Sequence, residues 1–166
     1  METLVTWFTE TLGNYISREA VVFLISMIPI LELRGGLLAA SLLKVPITTA
    51  IPLCIAGNII PIPFILLFIR KIFAWMKHFN IFRGLIEKLE KRAMSKSDSV
   101  TKYEFWGLAL FVGIPLPGTG AWTGSLIAAL LEMDLKKAVL SILVGIAIAT
   151  LIMSIVSYGL LGAVIS

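Results

Sequence analysis

The sequence contains few of the residues that build a disulfide, a metal centre or a hydrolytic site. Its 166 residues include one cysteine, Cys54, and one histidine, His78. A single cysteine excludes an internal disulfide framework, and one Cys with one His is too small a set for the usual zinc sites. The chain also lacks a Ser/His/Asp set, a carboxylate pair at hydrolase spacing and a P-loop. We therefore expect neither an enzyme nor a cofactor or metal.

Charged residues are also scarce. They make up 14% of the chain, whereas soluble domains average about 25%. Hydrophobic residues make up 58%, and the mean hydropathy is +0.99. Three stretches have no charged residue: 45–69, 105–131 and 138–166. Each is longer than the roughly 20 apolar residues that cross a bilayer, so the sequence predicts an all-α, multi-pass membrane protein. No cleaved signal peptide is expected, because the first 19 residues lack a basic start.

The chain contains an internal repeat at a spacing of 88 residues. A gap-free alignment gives ten identities over the 38 positions from 23 to 60, and it places Phe23 on Phe111 and Pro29 on Pro117. Gly36 and Gly57 also find glycine partners, and such residues carry backbone geometry. We predict a single transmembrane domain, 1–166, with one repeat at about 20–69 and another at about 105–166. Internal repeats of this kind are common in transporters.

Each repeat is interrupted by proline and glycine, at residues 29–36 and 115–124. Irregular backbone is tolerated at membrane depth only where protein or a water-filled cavity covers it. About nine apolar residues follow each break, enough for about 14 Å of helix, or half the bilayer. We therefore predict two re-entrant hairpins, each followed by a spanning helix, in an inverted repeat. The alternative is a plain bundle of four kinked helices.

The segment 70–102 between the repeats is basic, with nine Lys and Arg residues. Its apolar residues recur at spacings of three and four, which predicts an amphipathic helix on an anionic membrane surface. The alternative is a solvated linker helix. Under the hairpin interpretation, Lys136 and Lys137 lie on the same side as this linker. The positive-inside rule then makes that side cytoplasmic. Residues 1–18 are interpreted as a short interfacial helix.

Charges inside the membrane are functional candidates because they are costly, and Glu32 and Arg34 lie in the first break. Arg offers a planar fork for phosphate or carboxylate, and Glu can bind and release a proton. The second break offers backbone amides and hydroxyl groups for an anion. The candidate binding residues for substrate and proton are Glu32, Arg34, Gly35, Gly36, Asn58, Pro115, Pro117, Gly118, Thr119, Gly120, Trp122, Thr123 and Gly124.

Each of these features also has a structural interpretation. Glu32 and Arg34 can form a mutual ion pair that locks the two breaks together. Gly120 and Gly124 fit the small-xxx-small pattern of closely packed membrane helices. Asn58 can make a hydrogen bond between helices.

The motifs Pro29-x-x-Glu32-Leu33-Arg34-Gly35-Gly36 and 115–124 resemble the prokaryotic family labelled putative small multidrug export proteins. The resemblance covers nearly the whole chain. That family is distantly similar to the DedA/VTT superfamily. The superfamily resemblance implies paired re-entrant hairpins, lipid scrambling or flipping, and dependence on proton motive force. The present chain differs in having no Arg in its second break.

Together, the residues and the resemblance predict a small transporter or lipid translocase of the prokaryotic cytoplasmic membrane. Its substrate is expected to be anionic or amphiphilic, and its movement proton-coupled. The alternative is a non-transporting scaffold with a structural Glu32–Arg34 pair. A chain of this length has too few helices to enclose a polar path alone, so a homodimer is expected. Membrane lipid is an expected partner, and nucleic acid is not.

Overall fold

The computed structural model describes residues 17–160, without the side chains of Asn80, Asp98, Ser99, Thr101 and Leu160. This part of the chain is helical throughout, apart from short connections. The helices are α1 (Arg18–Met27), α2 (Glu32–Leu42), α3 (Ile47–Ile59), α4 (Pro61–Met76), α5 (Asn80–Met94), α6 (Asp98–Gly113), α7 (Ala121–Leu130) and α8 (Leu135–Ser154), with a π-helical turn at Ile155–Leu160. The interfacial helix predicted for residues 1–18 lies almost wholly outside the described residues.

Two helical stretches are long and apolar enough to cross a membrane. The first is Ile47–Met76, formed by α3 and α4, and the second is Leu135–Gly159, formed by α8 and the π-helical turn. They coincide with the two predicted crossings, although the first extends beyond residue 69. Pro52 lies inside α3 and Pro61 begins α4, where its missing N–H is tolerated at a helix start.

A helix–break–helix unit precedes each long stretch. Residues 28–31 join α1 to α2, and residues 114–120 join α6 to α7. Gly36 on α2 packs against Ser26 on α1, and Gly124 on α7 packs against Val112 on α6. α6 is itself kinked at Glu104, where φ is 41° and ψ is −104°, so its last nine residues form a separate straight arm. Each unit therefore consists of two short helices in side-by-side contact.

Both units end in the same turn. Lys44 and Glu132 are 88 residues apart, and each has a φ of 55°. The Val45 amide donates to the Ala40 carbonyl at 2.9 Å, and the Met133 amide donates to Ala128 at 3.0 Å. Such six-to-one bonds with a left-handed residue define the Schellman ending of a helix. The two turns therefore share one backbone geometry at a spacing of 88 residues.

The first helices of the two units, α1 and α6, are related by a different spacing. Ile28 and Ile114 end α1 and α6 in nearly the same extended conformation, with φ and ψ of −74° and 129° against −79° and 123°. They are 86 residues apart. The following prolines match at the same offset, so Pro29 corresponds to Pro115 and not to Pro117.

Glycine contacts give the same register. Gly57 lies against the Phe23 carbonyl and Gly145 against the Ala109 carbonyl, in both cases with 2.7 Å to an added Cβ. Phe23 therefore corresponds to Ala109, and the predicted pairing of Phe23 with Phe111 was wrong. The first break takes four residue steps from Ile28 to Glu32, and the second takes six from Ile114 to the equivalent residue, Gly120. The second break therefore contains two additional residues. A gap-free alignment cannot accommodate that insertion.

The close approach at Gly145 yields a stability prediction. A Cβ there would lie 2.6 Å from Val112 Cβ and 2.7 Å from the Ala109 carbonyl oxygen, so Gly145→Ala must push α6 and α8 apart. We expect a loss of about 1–3 kcal/mol in the free energy of unfolding, measured in detergent micelles. Gly84→Ala on α5 is the matched control, because nothing lies within 4 Å. Its expected effect is a gain of about 0.5–1 kcal/mol. Equal unfolding midpoints for the two variants would contradict the packing described here.

We call the turn that ends each unit its base, at Lys44 in the first unit and at Glu132 in the second. The two bases lie at opposite ends of the bundle. Near the first base, Ser41 Oγ donates to the Ser157 carbonyl at 2.7 Å and Tyr158 donates to the Val45 carbonyl at 2.8 Å. At the second base, Arg70 pairs with Glu132 at 2.6 Å. Since α3 begins beside the first base and Arg70 is 23 residues further along the same helical stretch, about 35 Å of helical rise separates the two bases.

The linker helix α5 has two distinct faces. Ile86 and Ala93 are buried against the bundle, whereas Ile81, Phe82 and Leu85 are 88%, 42% and 53% exposed. Exposed apolar residues on a helix rich in cations are typical of a membrane-surface helix. Contact of α5 with anionic lipid stays a prediction.

Candidate functional site

The two breaks meet through Glu32. Its Oε2 accepts a hydrogen bond from the Ala121 amide at 2.9 Å, and its Oε1 accepts one from the Trp122 amide at 3.0 Å. Glu32 is 4% exposed; its bond to Ala121 is buried, and its bond to Trp122 is partly buried. The first amides of a helix have no partner within the helix, and the helix dipole favours a negative charge there. The carboxylate of the first unit therefore caps α7 of the second.

Gly120 permits this approach. Its φ is 134°, a conformation that side chains rarely adopt, and an added Cβ would collide with the Glu32 carboxylate. Glu32 and Gly120 are equivalent positions at the spacing of 88, and Glu32 also has a positive φ, of 50°. The first repeat has a carboxylate at this position. The second has a glycine, which leaves room for that carboxylate.

Arg34 binds the other side of the second break. Its Nη1 donates to the Leu116 carbonyl at 2.9 Å, and its Nη2 lies 3.1 Å from the Ile114 carbonyl and 3.3 Å from that of Val112. Nη2 also lies 3.0 Å from Thr119 Oγ1. The last carbonyls of a helix attract a cation, because they lack partners within the helix and carry the negative end of its dipole. Arg34 thus stabilises the C-terminal end of α6.

Glu32 and Arg34 bind separate groups, not each other. The ion pairs found within residues 17–160 join other side chains: Arg70–Glu132, Lys77–Glu90, Arg83–Glu87 and Lys137–Glu104. The carboxylate binds the start of α7 and the guanidinium binds the end of α6. The two breaks are therefore connected, but by a different arrangement from a mutual Glu32–Arg34 pair.

Thr119 and Lys96 hold the rest of the second break. Thr119 Oγ1 lies 2.9 Å from the Ile114 carbonyl and 2.8 Å from that of Leu116. Lys96 Nζ donates to the Gly118 carbonyl at 2.8 Å. Lys96 was not among the predicted site residues. As one of nine cations in a basic segment, it carries no local signal that distinguishes it from the others.

The other predicted residues have different environments. Gly35 packs against Ile25 on α1, and Gly36 and Gly124 bring helices together. Asn58 is 2% exposed in α3, and its Oδ1 has no hydrogen-bond partner among the described residues; the same holds for Trp122 Nε1. Pro115 and Thr123 are half-buried, and Pro117 and Gly118 are exposed. The structure thus brings Glu32, Arg34, Thr119, Gly120 and the Trp122 amide into one cluster.

This cluster contains two charged side chains that bind protein backbone groups. A carboxylate on two helix amides marks a place that another anion could occupy. A guanidinium on carbonyl groups can turn to a phosphate or carboxylate, which matches its fork better. No group of His, Cys, Asp and Glu side chains within residues 17–160 could hold a metal ion.

Comparison with known families gives a match over most of the chain. The model of a family described as "Putative small multi-drug export protein" matches residues 32–152. The matched segment begins at Glu32, directly after the first break. It contains the second break, the first long stretch and most of the second long stretch. No curated protein and no solved structure matches the sequence.

Proposed function

Since the chain belongs to the family of putative small multi-drug export proteins, we propose that it is a membrane transporter with a site between two re-entrant breaks. Its substrate is an anionic or amphiphilic molecule, a lipid among the candidates, and its movement is coupled to protons. The protein acts in the prokaryotic cytoplasmic membrane.

The proposed architecture is an inverted repeat of a re-entrant hairpin and a spanning helix. Three observations support it. The two bases are at opposite ends of the bundle, the turns at Lys44 and Glu132 have the same geometry, and the breaks meet each other. A kinked four-helix bundle gives no reason for α2 and α7 to stop after 11 and 10 residues, about half the bilayer thickness.

The capping of α7 by Glu32 is the observation that carries the mechanism. Protonation of Glu32 removes the negative charge that the Ala121 and Trp122 amides bind. An anionic group of the substrate then takes the two amides, while the proton remains on Glu32. One proton and one anionic charge thus occupy the site together. Loss of the proton restores the cap and expels the anion.

A homodimer would complete the wall of such a path. Two crossings and two half-crossings surround little polar space, and several large apolar side chains on the long stretches are exposed, among them Phe64, Leu67 and Leu151 at 63%, 51% and 68%. We expect lipid to cover part of this surface and a second copy to cover the rest.

A non-transporting scaffold is the second candidate. It is favoured by the hydrogen bonding of Glu32 and Arg34, since each already binds protein groups. In that case the charges join the two units and no ligand displaces them.

Flux through proteoliposomes separates the two candidates. Liposomes with the purified protein are loaded with an anionic fluorescent amphiphile, and efflux is followed with a pH gradient and after a protonophore collapses it. We expect protein-dependent efflux that the protonophore slows, with a cationic amphiphile of the same size as control. Efflux equal to that of protein-free liposomes for both dyes would support the scaffold.

A further inference from the structure

A groove of about 630 Å³ lies at the end of the first long stretch, away from the site between the breaks. One wall comes from α4 and the other from the end of α7 and the turn that follows it. Its apolar part includes Leu66, Leu67 and Ala128, and its charged part includes Arg70, Lys71 and Glu132. The volume is within the range of small-molecule sites, about 300–1,000 Å³.

The depth of the groove matches a bilayer lipid. The long stretch begins at Ile47, and about 20 helical residues cross the hydrocarbon, which places Leu66 near the far boundary. Arg70 and Lys71 are one turn further, at the level of the headgroups. The apolar walls therefore lie at the depth of acyl chains and the cations at the depth of phosphates.

We propose that this groove binds one anionic phospholipid, with its phosphate on Arg70 and Lys71 and an acyl chain along Leu66, Leu67 and Ala128. The leaflet is the one on the side of the basic linker. This lipid is a resident ligand, and its binding does not depend on the transport proposed above. Arg matches phosphate with two parallel hydrogen bonds, and Lys adds a second positive charge.

The pair of Arg70 with Glu132 acts as a competitor within the groove. The two side chains are 2.6 Å apart but 54% and 66% exposed, so the pair contributes little to stability. Among the described residues, no carboxylate pairs with Lys71. A phosphate that enters the groove can therefore take Arg70 from Glu132, since it brings bidentate geometry and finds Lys71 beside it.

Binding is measured by native mass spectrometry of the full chain in neutral micelles with added phosphatidylglycerol, and with phosphatidylcholine as the uncharged reference. The variant Arg70→Ala/Lys71→Ala is expected to weaken retention of phosphatidylglycerol about tenfold, the equivalent of about 1.4 kcal/mol. The matched control is Lys88→Ala/Lys91→Ala, two exposed cations of α5, which should change it less than about twofold. Glu132→Gln should strengthen retention severalfold, because the competitor is removed.

Ala74→Trp tests the space at the headgroup end of the groove, one helical turn beyond Arg70. Ala74 is exposed and lines the groove, so a bulky side chain there should fill the groove and weaken lipid binding without altering any charge. Equal losses in the two double variants would mean diffuse surface attraction and would overturn the proposal. So would competition by glycerol phosphate at the same concentration, which would indicate a soluble anion. If Ala74→Trp dissociates a dimer but leaves lipid retention unchanged, the groove belongs to a second copy. None of these results depends on whether the protein transports a substrate.

Discussion

Glu32→Gln is expected to leave the protein folded and to abolish proton-dependent efflux. The amide of Gln keeps one oxygen that can accept a hydrogen bond from α7, so part of the cap remains. It cannot gain or lose a proton, and without a negative charge it does not alternate with an anion at the Ala121 and Trp122 amides. Efflux from proteoliposomes should therefore fall to the protein-free rate, with or without a pH gradient.

Glu32→Ala removes the cap altogether. The buried amide of Ala121 and the partly buried amide of Trp122 are then left without an acceptor, at up to about 1–3 kcal/mol each. We expect a loss of about 2–6 kcal/mol in the free energy of unfolding, measured by denaturant titration in mixed micelles. The Gln variant should lose less than half as much as the Ala variant.

Glu87→Gln is the matched control for both variants. Glu87 is an exposed carboxylate on α5, 3.0 Å from Arg83, and such surface pairs contribute about 0–1 kcal/mol. Its removal should affect neither stability nor efflux. Gradient-dependent efflux that survives Glu32→Gln would refute the proton-coupled exchange at α7. An unchanged unfolding free energy for Glu32→Ala would refute the cap itself.

The spans were predictable from the sequence because their signal is local. Two of the three uncharged runs, 45–69 and 138–166, lie on helical stretches long enough to cross a membrane. The third run, 105–131, is divided into two short helices by the proline and glycine residues of the second break. The gap-free alignment at a spacing of 88 agrees with the turns at Lys44 and Glu132 but not with the helix ends at Ile28 and Ile114. The two additional residues lie in the second break. The two breaks share few identical residues, so the sequence alone does not show where a gap belongs. Backbone geometry at Ile28 and Ile114 was needed to locate them.

The cluster between the breaks shows a similar division. Glu32 and Arg34 stand out in the sequence because charges are rare in apolar runs. Their partners do not, because they are mostly backbone groups: the amides of Ala121 and Trp122 and the carbonyls of Ile114 and Leu116. Backbone groups exist at every residue, so no side-chain pattern marks them. The same holds for Lys96, whose acceptor is the Gly118 carbonyl.

Arg34→Met is expected to destabilise the protein by about 3 kcal/mol or more. Met keeps the length of the side chain but removes every donor, and hydrogen bonds to charged groups contribute about 1.5–3 kcal/mol each. Arg34 reaches three carbonyls and Thr119. Arg34→Lys should fall between Met and the wild type, since an ammonium group keeps the charge but lacks the fork that spans separate carbonyls. Arg83→Met, at an exposed position of α5, is the control and should change little.

The double variant Glu32→Gln/Arg34→Met decides how the two charges act. In a mutual buried ion pair, removal of one partner leaves an uncompensated charge and costs about 3–5 kcal/mol, and removal of the second recovers much of that cost. In the present structure each charge binds its own end of the second break and the two form no direct ion pair, so the second removal recovers only the weaker attraction between the separated charges. We expect the two losses in unfolding free energy to add within about 1 kcal/mol. A double variant more stable than Arg34→Met alone would show that Glu32 and Arg34 stabilise each other, and would return the cluster to a structural ion pair.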